Sequence, residues 1–313
     1  MLQALLDATE FSQLPVRHNE DNISTELVKQ CPMRVNMYTM DFPHTKASLQ
    51  LQSHFSRLTL PCSDYLADTK SVMDNSPRVM QAMIDVCAES GWLASTIRVV
   101  TMLQMLVLAR WDTDSPLLPH LQHHMLYLFS PAGRTNLPQL LHKVGEKYET
   151  LANILRPELE EQEVEDVWAV VERLPIMTVR VKMDDQKVEL GRQREGQSRV
   201  ITVTAGAEVT ISITMRRVNR LGKEGVKVHA PKYQKPKDEG WVVVVGNPDT
   251  RELAALKRVG AVRGSTTFSL VVSPMEVGRM FYTLYIMSDS YQGLDQQYQM
   301  PLQVEEVYYS DEE

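Results

Sequence analysis

The sequence predicts an α+β protein in which helices occupy residues 1 to about 175 and β-strands occupy most of the remainder. Two periodicities support this prediction. Apolar residues recur at intervals of three and four before Pro175, and at intervals of two after it. A length of 313 residues with 43% hydrophobic content is enough to bury a sizeable core, divided into two or three domains.

The helical part contains several amphipathic patterns. Apolar side chains share one face between residues 49 and 58, and again between residues 79 and 86. Ser76-Pro77 has the form of an N-cap followed by proline at the first helical position, so we expect a helix to begin there and Gly91 to end it. Further helical patterns cover residues 137–155 and 158–173.

The strand part begins after Pro175. In the segment VTISITM (209–215), apolar residues alternate strictly with threonine or serine, which indicates a half-buried strand. Several short strands over about 135 residues predict an antiparallel β-sandwich of immunoglobulin type. The other predicted strands are WVVVVG (241–246), TTFSLVV (266–272), FYTLYIM (281–287) and YQMPLQV (298–304).

The most unusual helical segment is residues 91–111, GWLASTIRVVTMLQMLVLARW. It is mostly apolar, but Arg98 at a bilayer centre would cost about 2.5–3.5 kcal/mol, and Asp112 follows directly. A membrane span is therefore not predicted. The polar residues form a narrow row at a spacing of three, a seam on a helix that is otherwise apolar all round: Ser95, Arg98, Thr101 and Gln104.

Such a helix belongs in the middle of a bundle, and its polar seam must face something polar. Two interpretations remain open. The seam faces a partner, a channel or a groove, or its side chains form hydrogen bonds to neighbouring helices and backbone.

Common catalytic motifs are absent from the sequence. It contains no GxxxxGK[ST] phosphate loop, no GxGxxG, no HExxH and no GxSxG, so we expect neither enzymatic activity nor a bound cofactor for the chain alone. His120, His123 and His124 have some metal-ligand character, but they lack a fixed acidic partner, and no metal site is predicted.

Charge and cysteine content favour a soluble intracellular protein. Residues 1–175 carry 14 basic and 22 acidic side chains, and the remainder carries 19 and 18, giving a net charge of −7. This balance excludes a protein that coats nucleic acid through net charge. Three cysteines without a CxxC spacing favour a reducing compartment, and the acidic N-terminal segment does not fit a signal peptide.

Basic residues are concentrated in residues 216–240, around Tyr233. Basic side chains with an aromatic between them can bind phosphates, although a solvated hairpin loop is the commoner explanation. We favour a protein partner for this segment, since one loop would supply only a few phosphate contacts. The candidate contact residues are Arg216, Arg217, Lys232 and Lys235.

Six dispersed segments resemble the C-terminal Brl unit of Ski2-like helicases, which an endoplasmic-reticulum translocation protein shares. Within this family the chain is most similar to the helicase of the activating signal cointegrator complex, and next to the spliceosomal two-cassette RNA helicase. The segments are LPVRHNED (14–21), PHTKASLQLQSHFSR (43–57), LPCSDYLADTK (60–70), GWL (91–93), KDEGWVVVVGNPDTRELAALKRVG (237–260) and YTLYIMSDSYQGLDQQY (282–298).

The resemblance implies a helical bundle, a helix-loop-helix and an immunoglobulin- or fibronectin-III-like sandwich. Their expected ranges are 1–118, 119–175 and 176–308, followed by an acidic tail at 309–313. It also implies that residues 91–111 form the long central helix, called the ratchet helix, which lies along the channel for a single strand in active cassettes. The implied strand contacts are Arg98, Thr101 and Gln104, with Trp111 available for base stacking.

By the same resemblance, the chain is a non-catalytic accessory module of an ATP-dependent helicase found in nucleus and cytoplasm. Its implied partners are upstream motor and winged-helix domains, other subunits of the cointegrator complex, and single-stranded nucleic acid, with no membrane. The implied processes are DNA alkylation repair and rescue of stalled ribosomes. The alternatives are the equivalent module in pre-mRNA splicing, and a subunit of the endoplasmic-reticulum translocation channel.

Overall fold

A computed structural model describes residues 1–60, 62–113, 118–121, 137–184, 186–188, 200–222 and 224–306. Within these ranges the protein is α+β, with eight α-helices and two β-sheets. The helices are α1 (Leu2–Leu6), α2 (Asp21–Gln30), α3 (Pro43–Phe55), α4 (Ser63–Glu89), α5 (Leu93–Leu108), α6 (Leu137–Val144), α7 (Tyr148–Leu155) and α8 (Glu161–Val171).

Nine strands form the two sheets within the described ranges. They are β1 (Met177–Met183), β2 (Gln186–Val188), β3 (Ile201–Thr204), β4 (Val209–Arg217), β5 (Trp241–Asn247), β6 (Glu252–Val259), β7 (Ser265–Val272), β8 (Gly278–Ser288) and β9 (Gln296–Glu305). One sheet has the order β2-β1-β4-β7, and the other has the order β3-β9-β8-β5-β6. All neighbouring strands are antiparallel except β3 and β9, which are parallel.

Helix α4 runs through Pro77 without interruption, so the predicted helix start at Ser76 is wrong. The Ser76 hydroxyl is buried and donates a hydrogen bond to the Val72 carbonyl oxygen at 2.7 Å, one helical turn earlier. Packing against α5 stabilises this turn, although proline cannot donate its own helical hydrogen bond. Gly91 ends the helix as predicted, with a φ of 71° that glycine adopts without strain.

The five-stranded sheet is the middle layer of three. Alternate residues of β5 point to opposite faces, and both faces are buried. Val243 and Val245 belong to a core shared with the four-stranded sheet, whereas Val242 and Val244 belong to a core shared with α1, α3, α4 and α5. The helical bundle and the β-structure are therefore joined by one sheet that is covered on both sides.

The predicted fold class, a helical part followed by an immunoglobulin-like antiparallel sandwich, is wrong. The five-stranded sheet contains a parallel strand pair, β3 with β9, and its outer face is buried by the helices. Sequence periodicity missed this arrangement because a strand that is buried on both faces has no polar side.

Helices α6, α7 and α8 form a third core. Their apolar residues surround Leu174 and Ile176 and contact Tyr291 and Leu294 beyond β8. Gly145, with a φ of 59°, separates α6 from α7, so the pattern predicted over 137–155 is two helices. Among the described helices, none is long and apolar enough to cross a membrane.

Candidate functional site

Helix α5 lies at the centre of the bundle and reaches the five-stranded sheet. Its C-terminal carbonyl groups are bound by side chains from the end of α3. A ring nitrogen of His54 lies 2.7 Å from the Leu106 carbonyl oxygen, and Arg57 Nε donates to the Ala109 carbonyl oxygen at 2.8 Å. These contacts satisfy acceptors that the end of a helix would otherwise leave unpaired.

The polar seam of α5 divides into a buried part and an exposed part. Gln104 is 2% exposed, and its Nε2 donates to the Ser288 carbonyl oxygen at 2.7 Å and to Asp295 Oδ1 at 3.0 Å. Burial raises the pKa of Asp295 to about 6, although hydrogen bonds from Gln104 and the Ser288 amide oppose the shift. Gln104 therefore joins α5 to the sheet, and its amide faces protein.

Two other seam residues, Arg98 and Thr101, border a groove of about 250 Å³ together with Trp111. The Arg98 side chain is 66% exposed and its Nη1 lies 3.1 Å from Asp112 Oδ2. The Thr101 hydroxyl donates to the Ile97 carbonyl oxygen at 3.0 Å. Of the predicted strand contacts, the structure thus brings Arg98, Thr101 and Trp111 together and places Gln104 elsewhere.

Trp111 is held by two contacts from the end of α3. Its Nε1 donates to Ser56 Oγ at 2.8 Å, and its ring meets Phe55 edge-on at a centroid distance of 5.1 Å. Trp111 also borders a second cleft of about 1070 Å³ between the bundle and α8. Arg57 and Lys232 line this cleft, so the two depressions adjoin at Trp111 and carry cationic side chains.

Four basic residues between 216 and 240 were predicted to contact a partner or phosphates, and the structure places them in different environments. Arg217 is 7% exposed and forms a buried ion pair with Glu239, so no ligand can reach it. Lys235 Nζ lies 2.7 Å from Asp74 Oδ1 on α4, which attaches this segment to the acidic bundle. Lys232 and Arg216 are exposed, the first beside the larger cleft and the second on β4.

A buried ion-pair cluster in the bundle was not found from the sequence. Lys46 is 2% exposed, and its Nζ lies 2.7 Å from Glu20 Oε2 and 2.6 Å from Asp68 Oδ2. Arg17 Nη1 lies 2.7 Å from Glu20 Oε1 and 2.6 Å from Asp68 Oδ2. Burial raises the pKa values of Glu20 and Asp68, but hydrogen bonds from the two cations outweigh it and both pKa values lie below their ordinary range.

The four members of this cluster come from the first three segments that resemble the Brl unit. Those segments therefore specify the packing of η2 (His18–Glu20), α3 and α4 against one another. The sequence carries no clear signal for this cluster, since Gln50 and Ser53 follow Lys46 at spacings of four and seven and the face does not look buried.

Two further segments meet where the bundle contacts the sheet. The Leu253 amide donates to the Gly91 carbonyl oxygen at 2.8 Å, and the Leu93 amide donates to the Arg251 carbonyl oxygen at 3.2 Å. A Cβ atom on Gly246 would lie 2.7 Å from the Glu252 carbonyl oxygen and 2.8 Å from Leu93 Cδ1. Gly246 is therefore required for the close approach of α5 to β5.

The described residues contain no group of three or more metal-binding side chains. A ring nitrogen of His120 lies 2.9 Å from Asp166 Oδ2, while His123 and His124 lie outside the described residues. The predicted acidic tail at 309–313 also lies outside them.

Comparison with known proteins decides the family. The family described as "Sec63 Brl domain" matches residues 1–301. The chain belongs to the Sec63 Brl domain family. The resemblance inferred from the six sequence segments is thereby confirmed, and the buried cluster and the glycine contacts of this Brl chain lie inside the matched range.

The relatives that match the Brl chain are much longer proteins. Human "Activating signal cointegrator 1 complex subunit 3" is 39% identical over 97% of this chain. The Arabidopsis thaliana "DExH-box ATP-dependent RNA helicase DExH14" is 33% identical over 95% of it, and the human "U5 small nuclear ribonucleoprotein 200 kDa helicase" is 27% identical over 98%. The chain spans 15%, 13% and 13% of their respective lengths.

The chain also has a weak similarity to some solved structures. A CARDB domain from Pyrococcus furiosus is 10% identical, with a TM-score of 0.25, and covers 42% of this chain and 97% of its own. This likeness is too low to support an argument about fold or function.

Proposed function

We propose that this Brl chain is the non-catalytic accessory module of an ATP-dependent Ski2-like helicase of the activating signal cointegrator type. The observation that carries the proposal is the match of 97% of the chain to 15% of a cointegrator complex subunit, at 39% identity. The rest of such a protein leaves room for motor and winged-helix domains. The proposed setting is DNA alkylation repair and ribosome-associated quality control, in nucleus and cytoplasm.

Within this module, the proposed strand contact is the groove bordered by Arg98, Thr101 and Trp111. Arg98 offers an exposed guanidinium group to a phosphate, and the Trp111 indole lies at the junction with the cleft that contains Arg57 and Lys232. The buried amide of Gln104 supports a narrower interface than the sequence predicted. Asp112 opposes strand binding, because its carboxylate pairs with Arg98.

The test compares Arg98→Ala with Arg78→Ala in the full helicase. Arg78 is a suitable control, since it is a helical arginine that is 72% exposed and lies 3.9 Å from a carboxylate oxygen of Glu10. We expect Arg98→Ala to weaken single-strand affinity about tenfold and to reduce the slope of log affinity against log salt by about 0.7. Arg78→Ala should change neither quantity.

Melting temperature separates a strand contact from a structural residue. Arg98→Ala should leave the melting temperature within about 1–2 °C, because the side chain is exposed and its single ion pair contributes little. Gln104→Ala should lower it clearly, since Asp295 and the Ser288 carbonyl would lose a buried donor. If Arg98→Ala unfolds the bundle and Arg98→Lys restores it, the strand contact is refuted.

A protein-docking role is the second proposed function, carried by the exposed positions Lys232 and Arg216. Charge reversal of Arg216, which borders neither depression, should weaken the binding of a partner subunit in pull-downs and leave strand affinity unchanged. A protein interface with an apolar centre should also resist salt better than phosphate contacts do. Loss of strand binding with every partner retained would contradict this role.

The spliceosomal and translocation settings remain alternatives. The 27% identity to the U5 helicase supports the spliceosomal setting less strongly than the 39% identity to the cointegrator complex subunit supports the cointegrator setting.

A further inference from the structure

Strand β7 is an edge strand of the four-stranded sheet. It pairs with β4 over eight consecutive residues, from Arg216–Ser265 to Val209–Val272. In the part of the chain that the structure describes, no strand pairs with its other side. A strand in this position presents unpaired backbone donors and acceptors to its surroundings.

The hydrogen-bond pattern identifies which backbone groups of β7 face away from β4. The Arg217 amide donates to the Gly264 carbonyl oxygen at 2.7 Å, and this pair continues the register one step beyond the Arg216–Ser265 pair. In an antiparallel ladder, hydrogen-bonded and non-hydrogen-bonded pairs alternate. The backbone N–H and C=O groups that face away from β4 therefore belong to Ser265, Thr267, Ser269 and Val271.

The other described sheet edges are protected in ways that β7 is not. Strands β2 and β3 have only three and four residues. Strand β6 carries charged residues and is fixed to α4 by an ion pair between Arg258 Nη1 and Asp85 Oδ1 at 2.8 Å. In contrast, β7 (STTFSLVV) has eight residues, no charge, no proline and no register shift.

Two exposed cations flank β7, one on each side of the sheet. Lys257 extends from β6 so that its Nζ lies 5.7 Å from the centre of the Phe268 ring. Arg216 lies on the opposite face, directly across from Ser265. Neither residue forms an ion pair with any described carboxylate. An added strand with acidic residues on both of its faces would therefore meet a positive charge on each side.

Other occupants fit this edge less well. A second copy of the chain would bring its own Lys257 and Arg216 to the same place, so like charges would repel. Single-stranded nucleic acid binds protein sheets largely by stacking on aromatic side chains, and the outward-facing side chains of β7 are serine, threonine and valine.

We propose that β7 binds an extended acidic segment of a partner polypeptide as an additional β-strand. The outward backbone groups of Ser265, Thr267, Ser269 and Val271 supply the main-chain hydrogen bonds, and Lys257 and Arg216 select carboxylates. This proposal is independent of the helicase groove on α5 and uses none of its residues.

The test uses the 313-residue chain and three fluorescein-labelled eight-residue peptides, in which pairs of valines alternate with pairs of glutamates, serines or lysines, so that both faces of the extended peptide carry the test residue. Fluorescence anisotropy should show that the glutamate peptide binds at least tenfold more tightly than the lysine peptide, with serine between. Hydrogen exchange should show new protection of the four outward amides when the glutamate peptide is present. Absence of binding by all three peptides would overturn the proposal.

Two matched variants assign the binding to the edge. Ser269→Pro removes an outward N–H group and leaves the ladder to β4 intact, whereas Ser269→Ala keeps that N–H. The proline variant should weaken glutamate-peptide binding at least tenfold, and the alanine variant less than twofold. Lys257→Glu provides a second variant that keeps the backbone, and should reduce the preference for the glutamate peptide over the lysine peptide at least threefold, since Arg216 alone then selects carboxylates.

Three further results would refute the proposal. Equal peptide affinity in the wild type and in both Ser269→Pro and Lys257→Glu would place the binding elsewhere. A dimer in sedimentation velocity that forms without peptide and is lost in Ser269→Pro would make a second copy the occupant. Salt-sensitive binding of an oligonucleotide that Lys257→Glu abolishes, without peptide binding, would make the edge a nucleic-acid contact.

Discussion

Lys46 gives the sharpest test of how this fold is stabilised. Lys46→Met keeps most of the apolar stem and removes the ammonium group that contacts Glu20 and Asp68. The two carboxylates would remain buried, with only the partly exposed Arg17 as a counter-charge. Breaking a buried ion pair from one side costs about 3–5 kcal/mol, because the remaining charge loses its compensation.

That free energy corresponds to a measurable change in melting temperature. An unfolding entropy of about 2.1 cal/mol/K per residue gives the chain about 0.66 kcal/mol/K. Lys46→Met should therefore melt about 5–8 °C below the wild type in calorimetry at pH 7. Adding Asp68→Asn should recover part of this loss, since the second change removes one of the uncompensated charges.

The same variant should respond to pH with a predictable sign. The folded-state pKa values of Glu20 and Asp68 lie below their ordinary values. Their stabilisation is present above the unfolded-state pKa values near pH 4 and is lost as pH falls through the lower folded-state values. The difference in melting temperature between wild type and Lys46→Met should therefore shrink as pH is lowered below about 4.

The control is Lys29→Met. Lys29 also lies 2.6 Å from a carboxylate oxygen, that of Glu26, but its side chain is 63% exposed. An exposed pair of this kind contributes less than about 0.5 kcal/mol, so the melting temperature should hardly change. If Lys46→Met and Lys29→Met lower the melting temperature equally, burial does not determine the strength of the cluster, and the reasoning is refuted.

Three further predictions concern other parts of the chain. Burial raises the folded-state pKa of Asp295 to about 6, so the protonated side chain stabilises the fold fully below about pH 4, and this stabilisation is lost as pH rises through 6. In urea unfolding, the free energy of unfolding of Asp295→Asn relative to that of the wild type should therefore increase by about 3 kcal/mol between pH 4 and pH 7. A difference that does not change with pH would contradict this. Gly246→Ala should destabilise the protein by about 1–3 kcal/mol, because the added methyl group would collide with Leu93. Gly260→Ala is the control, since Gly260 has open space around it, and its free energy of unfolding should stay within about 1 kcal/mol of the wild type. Equal effects of the two changes would refute the packing argument. The isolated chain should neither melt at a higher temperature with ATP and magnesium nor release phosphate above background, because it lacks a phosphate loop; either signal would show that a nucleotide site was missed.

The sequence predicted the elements of this structure better than their arrangement. Strand β4 follows the expected alternation, with Val209, Ile211, Ile213 and Met215 buried. Strand β5 has five consecutive apolar residues, and this pattern cannot say that helices cover one of its faces. The error at Ser76 has a similar cause, since tertiary packing carries α4 past a proline that local preference would place at a helix start.

The sequence could place the polar residues of the candidate site on one face of α5, but it could not show that Gln104 is buried and Arg98 is exposed. Arg98 and Gln104 lie on the same seam, and Gln104 is structural because it binds Ser288 and Asp295, which lie 184 and 191 residues further along the chain. The ion pair between Lys235 and Asp74 could not be predicted from the sequence either, because it joins distant parts of the chain. Periodicity places a side chain on a face of its own element, and long-range pairing decides what that face meets.

The two-sided burial of the five-stranded sheet affects how the chain can be divided. A fragment beginning after residue 176 would keep the nine described strands, but it would present Val242, Val244, Tyr285 and Met287 to water. An exposed apolar area of this kind promotes aggregation. Proteolysis at that junction should therefore give insoluble pieces, and engineered truncations should retain the helices for the strands to stay in solution.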